Sequence, residues 1–228
     1  MARPTIAVIV PLLNERERLL DLLEMLNELN ADEVMLVDGG STEGTREMIS
    51  KARFSWCSSE AGRSLQMNRG AEQCRSGILL FIHADTLISS SHIAAVKEAL
   101  TDTAIVGGRF DISLSGRHAV FRVIEWMINV RSRLSRINTG DQCQFVRRDV
   151  FERLNGFPHQ PLMEDIEFSK QLKRMGSVAA LSDRVVTSSR RWEQHGIIRT
   201  ILLMWKLRLL YWMGSSPDYL VKIYRDAR

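Results

Sequence analysis

The sequence predicts an α/β fold in which a mostly parallel sheet is flanked by helices and followed by a C-terminal helical extension. Three observations predict it. Strand-like runs recur at "TIAVIV" (5–10), which is β-branched and apolar, and at "EVMLV" (33–37), "FSWCS" (54–58) and "ILLFI" (78–82). Helical periodicity or helix-forming composition fills the intervals. Strands that are apolar along their whole length belong in sheets covered on both faces, where ligands bind at the carboxyl ends of the strands.

The elements follow in order. After the first strand, residues 15–29 put Leu19, Leu22, Leu23, Leu26 and Leu29 on one helical stripe. A Gly-rich turn follows Asp38 and leads to a short helix ending near Ser50, and another helix runs from about Arg63 to Cys74. The order to this point is βαβαβαβ. Beyond it, "AIVGGRFDISL" (104–114) and "CQFVRR" (143–148) read as strands, and residues 117–135 and Glu164 to Met175 as helices. "SVAAL" and "RVVTS" read as two short strands, and a long apolar helix begins near Gly196. No repeat or low-complexity linker interrupts the chain, so residues 1–195 and the extension 196–228 are expected to form one compact unit.

A chain of 228 residues buries about 70% of its unfolded surface and folds without a disulfide or structural metal. Cys57, Cys74 and Cys143 are odd in number, and no pair has zinc-knuckle or redox spacing, so they are expected as thiols in a cytoplasmic protein. Pro11 stops the first apolar run too early for a signal peptide. The net charge of +4 is uneven: from Arg184 onward nine Lys/Arg face three Asp/Glu, and residues 1–183 hold the remaining 22 against 24. No basic run interleaved with aromatics occurs before the tail, so nucleic acid is not an expected partner. An anionic membrane surface or a phosphorylated ligand suits the tail better.

"PLLNE" (11–15) and "VDGGSTEGT" (37–45) each follow a strand. Gly39 and Gly40 permit a close ligand approach, and Ser41 or Thr42 is placed to cap the next helix, whose free amides favour an anion. The same residues also make an ordinary strand-to-helix turn. The stretch lacks the Gly-Lys-Ser/Thr of a P-loop and the glycine spacing of a dinucleotide fold. "FIHADT" (81–86) ends a buried strand on an imidazole and a carboxylate, a metal or phosphate site or a plain strand end. Glu164 and Asp165 open a helix, where acids either complement the dipole or do chemistry.

Taken together, "VIVPLLNE", "VDGGSTEGT", "ILLFIHADT", "GGRFD", "GDQCQFVRRDVFERLNGF" and "MEDIEFSKQLKRMG" stand in the order and approximate spacing of the family 2 glycosyltransferases, which the chain resembles over residues 5–195. It looks most like small bacterial stand-alone members with "HADT" in place of Asp-x-Asp. The resemblance implies a GT-A fold, a nucleotide-sugar donor, a hydroxyl acceptor on a glycan, lipid or small molecule, and inversion at the anomeric carbon. It implies that Pro11, Asn14, Glu15 and Asp38 line the nucleoside pocket, with Arg63 by the base or phosphates and Ala84 beside the donor. Asp85 would reach the diphosphate through Mg²⁺ or Mn²⁺, and Asp165, with Glu164 beside it, would be the general base. His83 fills the place of the missing carboxylate, either as a nitrogen ligand favouring Mn²⁺ or as a spectator.

"SSRRWEQHG" (188–196) resembles the Gln-x-x-Arg-Trp motif of processive members, with Ser188 where the Gln would stand, which argues against polymer synthesis. Arg190, Arg191 and Gln142 remain candidates for diphosphate or acceptor contact, and His195 for a metal ligand. Trp192 is a stacking platform for a sugar or a buried anchor. Residues 197–213 carry Arg199, Lys206 and Arg208, which cost roughly 8 to 10 kcal/mol in a spanning helix against about 4 to 7 gained, so a helix lying in the membrane interface fits better than one crossing it. Packing on the sheet or on a partner subunit is the alternative. Two other functions are weighed: a nucleotidyltransferase, whose Lys-containing phosphate loop is absent, and a non-catalytic nucleotide-sugar-binding or membrane-associated scaffold.

Overall fold

The computed structural model describes residues 4–226, apart from the side chains of Arg191 and His195. The chain runs β1 (Ile6–Leu12), α1 (Arg16–Glu28), β2 (Glu33–Asp38), α2 (Thr45–Ile49), β3 (Ser55–Ser58), α3 (Arg63–Gln73), β4 (Ile78–Phe81), β5 (Thr86–Leu87), α4 (Ser90–Ala99), β6 (Ile105–Leu114) and α5 (Ala119–Ser135). A 3-10 turn at Gly140–Gln142 precedes β7 (Phe145–Arg147), α6 (Arg148–Arg153), α7 (Glu164–Met175), β8 (Ser177–Thr187), α8 (Arg190–His195), α9 (Ile197–Trp212) and α10 (Pro217–Asp226).

The sheet has eight strands in the order β3-β2-β1-β4-β7-β6-β8-β5. β1 pairs in parallel with β2 and β4, and β2 with β3. The sheet as a whole is mixed, because β7 runs antiparallel to both β4 and β6 and β5 antiparallel to β8. The two short strands expected between Ser177 and Thr187 are one strand parallel to β6. Its register jumps from Phe110 opposite Leu181 to Asp111 opposite Arg184, and the bulged "SD" resembles a turn in the sequence. β6 carries Gly107 because a Cβ there would lie 2.5 Å from the Phe145 carbonyl oxygen of the crossing β7.

Alternate residues of the central strands feed two cores. Ile6, Val8, Val10 and Leu12 pack with Leu19, Leu22 and Leu26 of α1 on one face. Ala7 and Ile9 pack with Met67 of α3 and Phe168 of α7 on the other. Each such fully buried aliphatic side chain contributes about 1.5 to 3 kcal/mol, which fixes the strand ends and hence the loops they carry. The strand order reverses beside β1, between the β2-β3 side and β4, and in open α/β sheets ligands bind at the carboxyl ends of the strands at such a point.

The extension folds back on this body. Leu207 of α9 and Leu220 of α10 are buried with Met163 and Ile166 at the start of α7, and the Tyr211 hydroxyl donates to Glu167 Oε2 at 3.1 Å. No helix among the described residues is long and apolar enough to cross a membrane.

Candidate active site

The loops after β1 and β2 are stitched together by side chains. Asn14 takes a left-handed backbone, φ 55°, its amide donates to Ser41 Oγ at 2.9 Å, and its side-chain oxygen accepts the Thr42 amide at 3.0 Å. Asp38 is fully buried and accepts the Ser41 and Gly40 amides at 3.1 and 3.3 Å, around a turn that needs φ 90° at Gly40. Neither Ser41 nor Thr42 caps α2, contrary to the sequence expectation. The Ser41 hydroxyl accepts the Asn14 amide and the Thr42 amide donates to Asn14, and the helix begins only after Gly44. Behind this rim, the buried Gln66 donates from Nε2 to the carbonyls of Leu12 at 2.7 Å and Val37 at 2.9 Å, tying the ends of β1 and β2. Pro11, half-buried, lies in register with Val37.

Asp85 joins the same rim from the turn after β4. Its side chain is 37% exposed and stands 3.9 Å from Arg18, while its carbonyl accepts the Ser188 amide. Glu15 faces it: burial first, then the Asp85 charge, raises the Glu15 carboxyl, while Arg18 and Arg190 pull it down. Glu15, Asp85, Arg18 and Arg190 therefore share one electrostatic neighbourhood. Ala84 beside them packs on the core below.

Glu164 and Asp165 open α7. Met163 takes a left-handed φ of 66° and turns the chain sharply into α7, a strained conformation for a residue with a side chain. Asp165 accepts the Gly140 amide on Oδ2 at 2.8 Å and the Ile166 amide on Oδ1 at 2.7 Å. Glu164 is almost wholly buried with Arg63 Nη1 4.0 Å from Oε1. Burial, then the charge of Asp165, raises Glu164 to about 7. Burial also raises Asp165, opposed by its bond from Gly140 and by Arg63. A cavity of about 10 Å³, room for roughly one water, is lined by Arg63, His83, Gly140, Gln144 and Asp165 among others.

His83 thus shares this cavity with Asp165, with its Nε2 so close to Gly140 that a Cβ there would collide with it. The neighbouring Asp141 has a buried Oδ1 with no hydrogen-bond partner among the described residues. Burial, and after it the charges of Asp141 and Asp85, push the Cys143 thiol up. Arg131 of α5 keeps buried Nε and Nη2 without hydrogen-bond partners among the described residues; burial and then Arg208 lower it to about 10, against Asp141 and Asp165.

The remaining expected site residues have contacts of their own. Gln142 is fully buried and turned into its own turn, its Oε1 accepting the Thr139 amide at 3.2 Å. Trp192, half-buried, packs with the cluster of Leu114, Phe121 and Ile124, the contact that the anchor reading expects. Arg190 is exposed, and the side chains of Arg191 and His195 lie outside the described residues. Sequence reasoning did not single out Arg18, Arg131, Gly140 or Asp141. Gly140 and Asp141 stand inside the stretch "GDQCQFVRRDVFERLNGF", and nothing in their types announced that they meet Asp165 and His83. A larger open cavity of about 390 Å³ lies at the far ends of β2 and β3, away from these groups, lined by Leu26, Glu33 and Arg53 among others.

Comparison with known proteins decides the family. The model of Glycosyl transferase family 2 matches residues 7–154. The chain belongs to this family. Among individual proteins, this family 2 chain is 25% identical to glycosyltransferase AglE of Haloferax volcanii, the match covering 76% of the chain and 62% of that protein, so it spans less than two thirds of this curated relative. Its fold resembles the mannosyltransferase PcManGT of Pyrobaculum calidifontis, solved with GDP-Man and Mn²⁺, with a TM-score of 0.71 at 20% identity over 100% of this chain and 70% of that one. It also resembles glucosyl-3-phosphoglycerate synthase of Mycobacterium tuberculosis, solved with Mn²⁺, UDP and glucosyl-3-phosphoglycerate, with a TM-score of 0.63 at 19% identity over 87% and 79% of the two chains. The fold is GT-A, as the motif order implied. Membership in family 2 also decides against the nucleotidyltransferase reading.

The residues of this family 2 site suit a cation shared with a ligand rather than a closed protein cage. No group of three or more His, Cys, Asp or Glu among the described residues is placed to hold a metal. The accessible Asp85 and the unpartnered oxygen of Asp141 are hard oxygen donors. Mg²⁺ and Mn²⁺ accept such donors, and Mg²⁺ in particular is commonly bound by one or two carboxylates together with substrate phosphates and water.

Proposed function

We propose that the protein is an inverting glycosyltransferase that moves a sugar from a nucleotide-diphosphate donor to a hydroxyl acceptor, with Asp165 as the general base. The observation that carries this reading is the carboxylate pair Glu164–Asp165, seated at the start of α7 opposite the Asp85 rim and fixed by the Gly140 amide. The donor's nucleoside is assigned to the rim of Pro11, Asn14, Glu15 and Asp38, and its sugar to the space between Asp85 and Asp165. The bound ligands of PcManGT and of the mycobacterial synthase support this choice of donor class.

The chemistry follows from the groups present. The acceptor hydroxyl gives its proton to Asp165, whose two oxygens are each held by one backbone amide and keep a lone pair for that proton. Its oxygen forms the new bond to the anomeric carbon as the bond from that carbon to the diphosphate oxygen breaks on the opposite face, which inverts the centre. Burial of Asp165 raises its basicity, and Arg63 limits the rise. Arg18 and the exposed Arg190 stand by Asp85 and Glu15 to meet the negative charge of the departing nucleoside diphosphate. Asp85 would hold a divalent cation, Mg²⁺ or Mn²⁺, and that ion would supply further neutralisation of the charge. His83 we assign to support of the Gly140 loop rather than to the metal.

We take α9 and α10 as part of the same unit, supported by their burial against Met163 and Ile166 beside the base. We place the enzyme in the cytoplasm, on the inner membrane face, which the three free thiols and the basic tail favour. Release of nucleoside diphosphate from a panel of nucleotide sugars, with and without Mn²⁺, tests the reading. Donor binding without any turnover across the panel and a set of acceptors contradicts it in favour of a binding scaffold.

A further inference from the structure

α9 is apolar on two opposite faces. Thr200 and Leu207 mark the buried one, with Leu207 packed against α7 and α10. On the other side Ile198, Leu202, Trp205, Leu209 and Trp212 are exposed, Ile198 by 74% and Trp212 by 82%. Their spacing of four, three, four and three residues keeps them within roughly 40° of one line along the helix. Arg199 and Lys206 are exposed on one flank of that line and Arg208 is half-buried on the other. The neighbouring α5, joined to α9 through the cluster that holds Ile128, Ile197 and Ile201, exposes Val123, Trp126 and Leu134 as well.

We propose that this α5–α9 surface docks in the plane of an anionic lipid bilayer. A stripe of aliphatic and Trp side chains rimmed by cations is the pattern of an interfacial helix, with the indoles at headgroup level and the cations on lipid phosphates. Charge complementarity selects lipid over a second copy of the chain. α9 contains no acidic residue, and Glu125, the one acid of α5, is buried and occupied by the Leu114 amide and Arg122. A two-fold contact through the stripe brings each copy's cations to a partner surface without carboxylates. An anionic bilayer supplies the missing charge. The proposal stands on the surface alone and holds whether or not the glycosyl-transfer reading does.

The test is co-sedimentation of the full chain, without donor, with phosphatidylcholine vesicles containing about a third phosphatidylglycerol, beside vesicles of phosphatidylcholine alone. Trp emission and the size of the free protein by light scattering are read in parallel. Binding to the anionic vesicles with a blue shift, at least tenfold weaker binding to the neutral ones, a tenfold or greater loss in Leu209→Glu and a severalfold loss in Lys206→Glu are expected. Leu202→Ser, milder than Leu209→Glu, keeps the test valid if the latter melts early. No sedimentation with anionic vesicles, or binding that none of the variants weakens, overturns the proposal. A wild-type dimer that Leu209→Glu converts to monomer overturns it in favour of a second copy on the stripe.

Discussion

The amide of Gly140 donates to Oδ2 of Asp165 at 2.8 Å, and through that bond the turn before β7 holds the carboxylate assigned as base. The same glycine presses against His83, so one residue without a side chain sets the distance between the end of β4 and the start of α7.

Gly140→Ala is therefore expected to lower turnover by about tenfold to a hundredfold, because the methyl must displace His83 or the amide that aims Asp165. Donor affinity should change much less, since Asn14, Asp38 and Asp85 lie outside this contact. Steady-state kinetics with separate kcat and KM check the split. A loss confined to KM contradicts the assigned role.

Glu164 supplies a pH signature. Its carboxyl is raised from its ordinary 4.5 to about 7, mainly by burial. The folded state then keeps a proton that the unfolded chain releases, so stability falls as pH rises from about 4.5 to 7, by up to about 3 kcal/mol. Glu164→Gln removes the penalty. Its Tm should exceed the wild-type value at pH 8 and converge on it near pH 4; melting curves that stay parallel across this range rule the mechanism out.

Asp85→Ala should weaken Mn²⁺ binding in the presence of nucleoside diphosphate by tenfold or more, whereas His83→Ala should leave it nearly unchanged. The basis is position: Asp85 is accessible at the rim, while His83 lines the cavity with Arg63 and Asp165. Calorimetric titration of the two variants decides, and an equal loss in both makes His83 a nitrogen ligand.

Gln66→Ala tests the scaffold. It removes two buried hydrogen bonds, to Leu12 and Val37, and leaves those carbonyls and a small void behind. A loss of about 2 to 4 kcal/mol in denaturant unfolding is expected. A change below half a kcal/mol shows that water replaces the amide.

Much of this architecture was legible in the chain, and the parts that were not have physical reasons. β1 and β4 announce themselves because both faces are buried and every residue is apolar, and β2 because its interior, Val34 to Val37, is apolar. The direction of β7 is not encoded locally, since antiparallel pairing with β4 and β6 depends on where the chain returns. α4 escaped notice because its capping box closes with His92 in place of Glu or Gln: the Ser89 amide donates to His92 Nδ1 at 3.1 Å. At the site, Asn14, Glu15, Asp38, Asp85 and Asp165 carry charge or polarity at strand and helix ends, where chemistry is expected. Gly140 and Arg131 act through contacts between distant segments, and Gln142 reads as a ligand residue but caps its own turn.

The central claim is that Asp165 removes the proton from the acceptor. The most direct measurement is single-turnover sugar transfer by Asp165→Asn, alongside donor binding by calorimetry. A loss of about a hundredfold to ten-thousandfold in the rate is expected, with donor affinity within a few fold of wild type. Transfer at an unchanged rate with donor bound contradicts it and assigns the proton to another group.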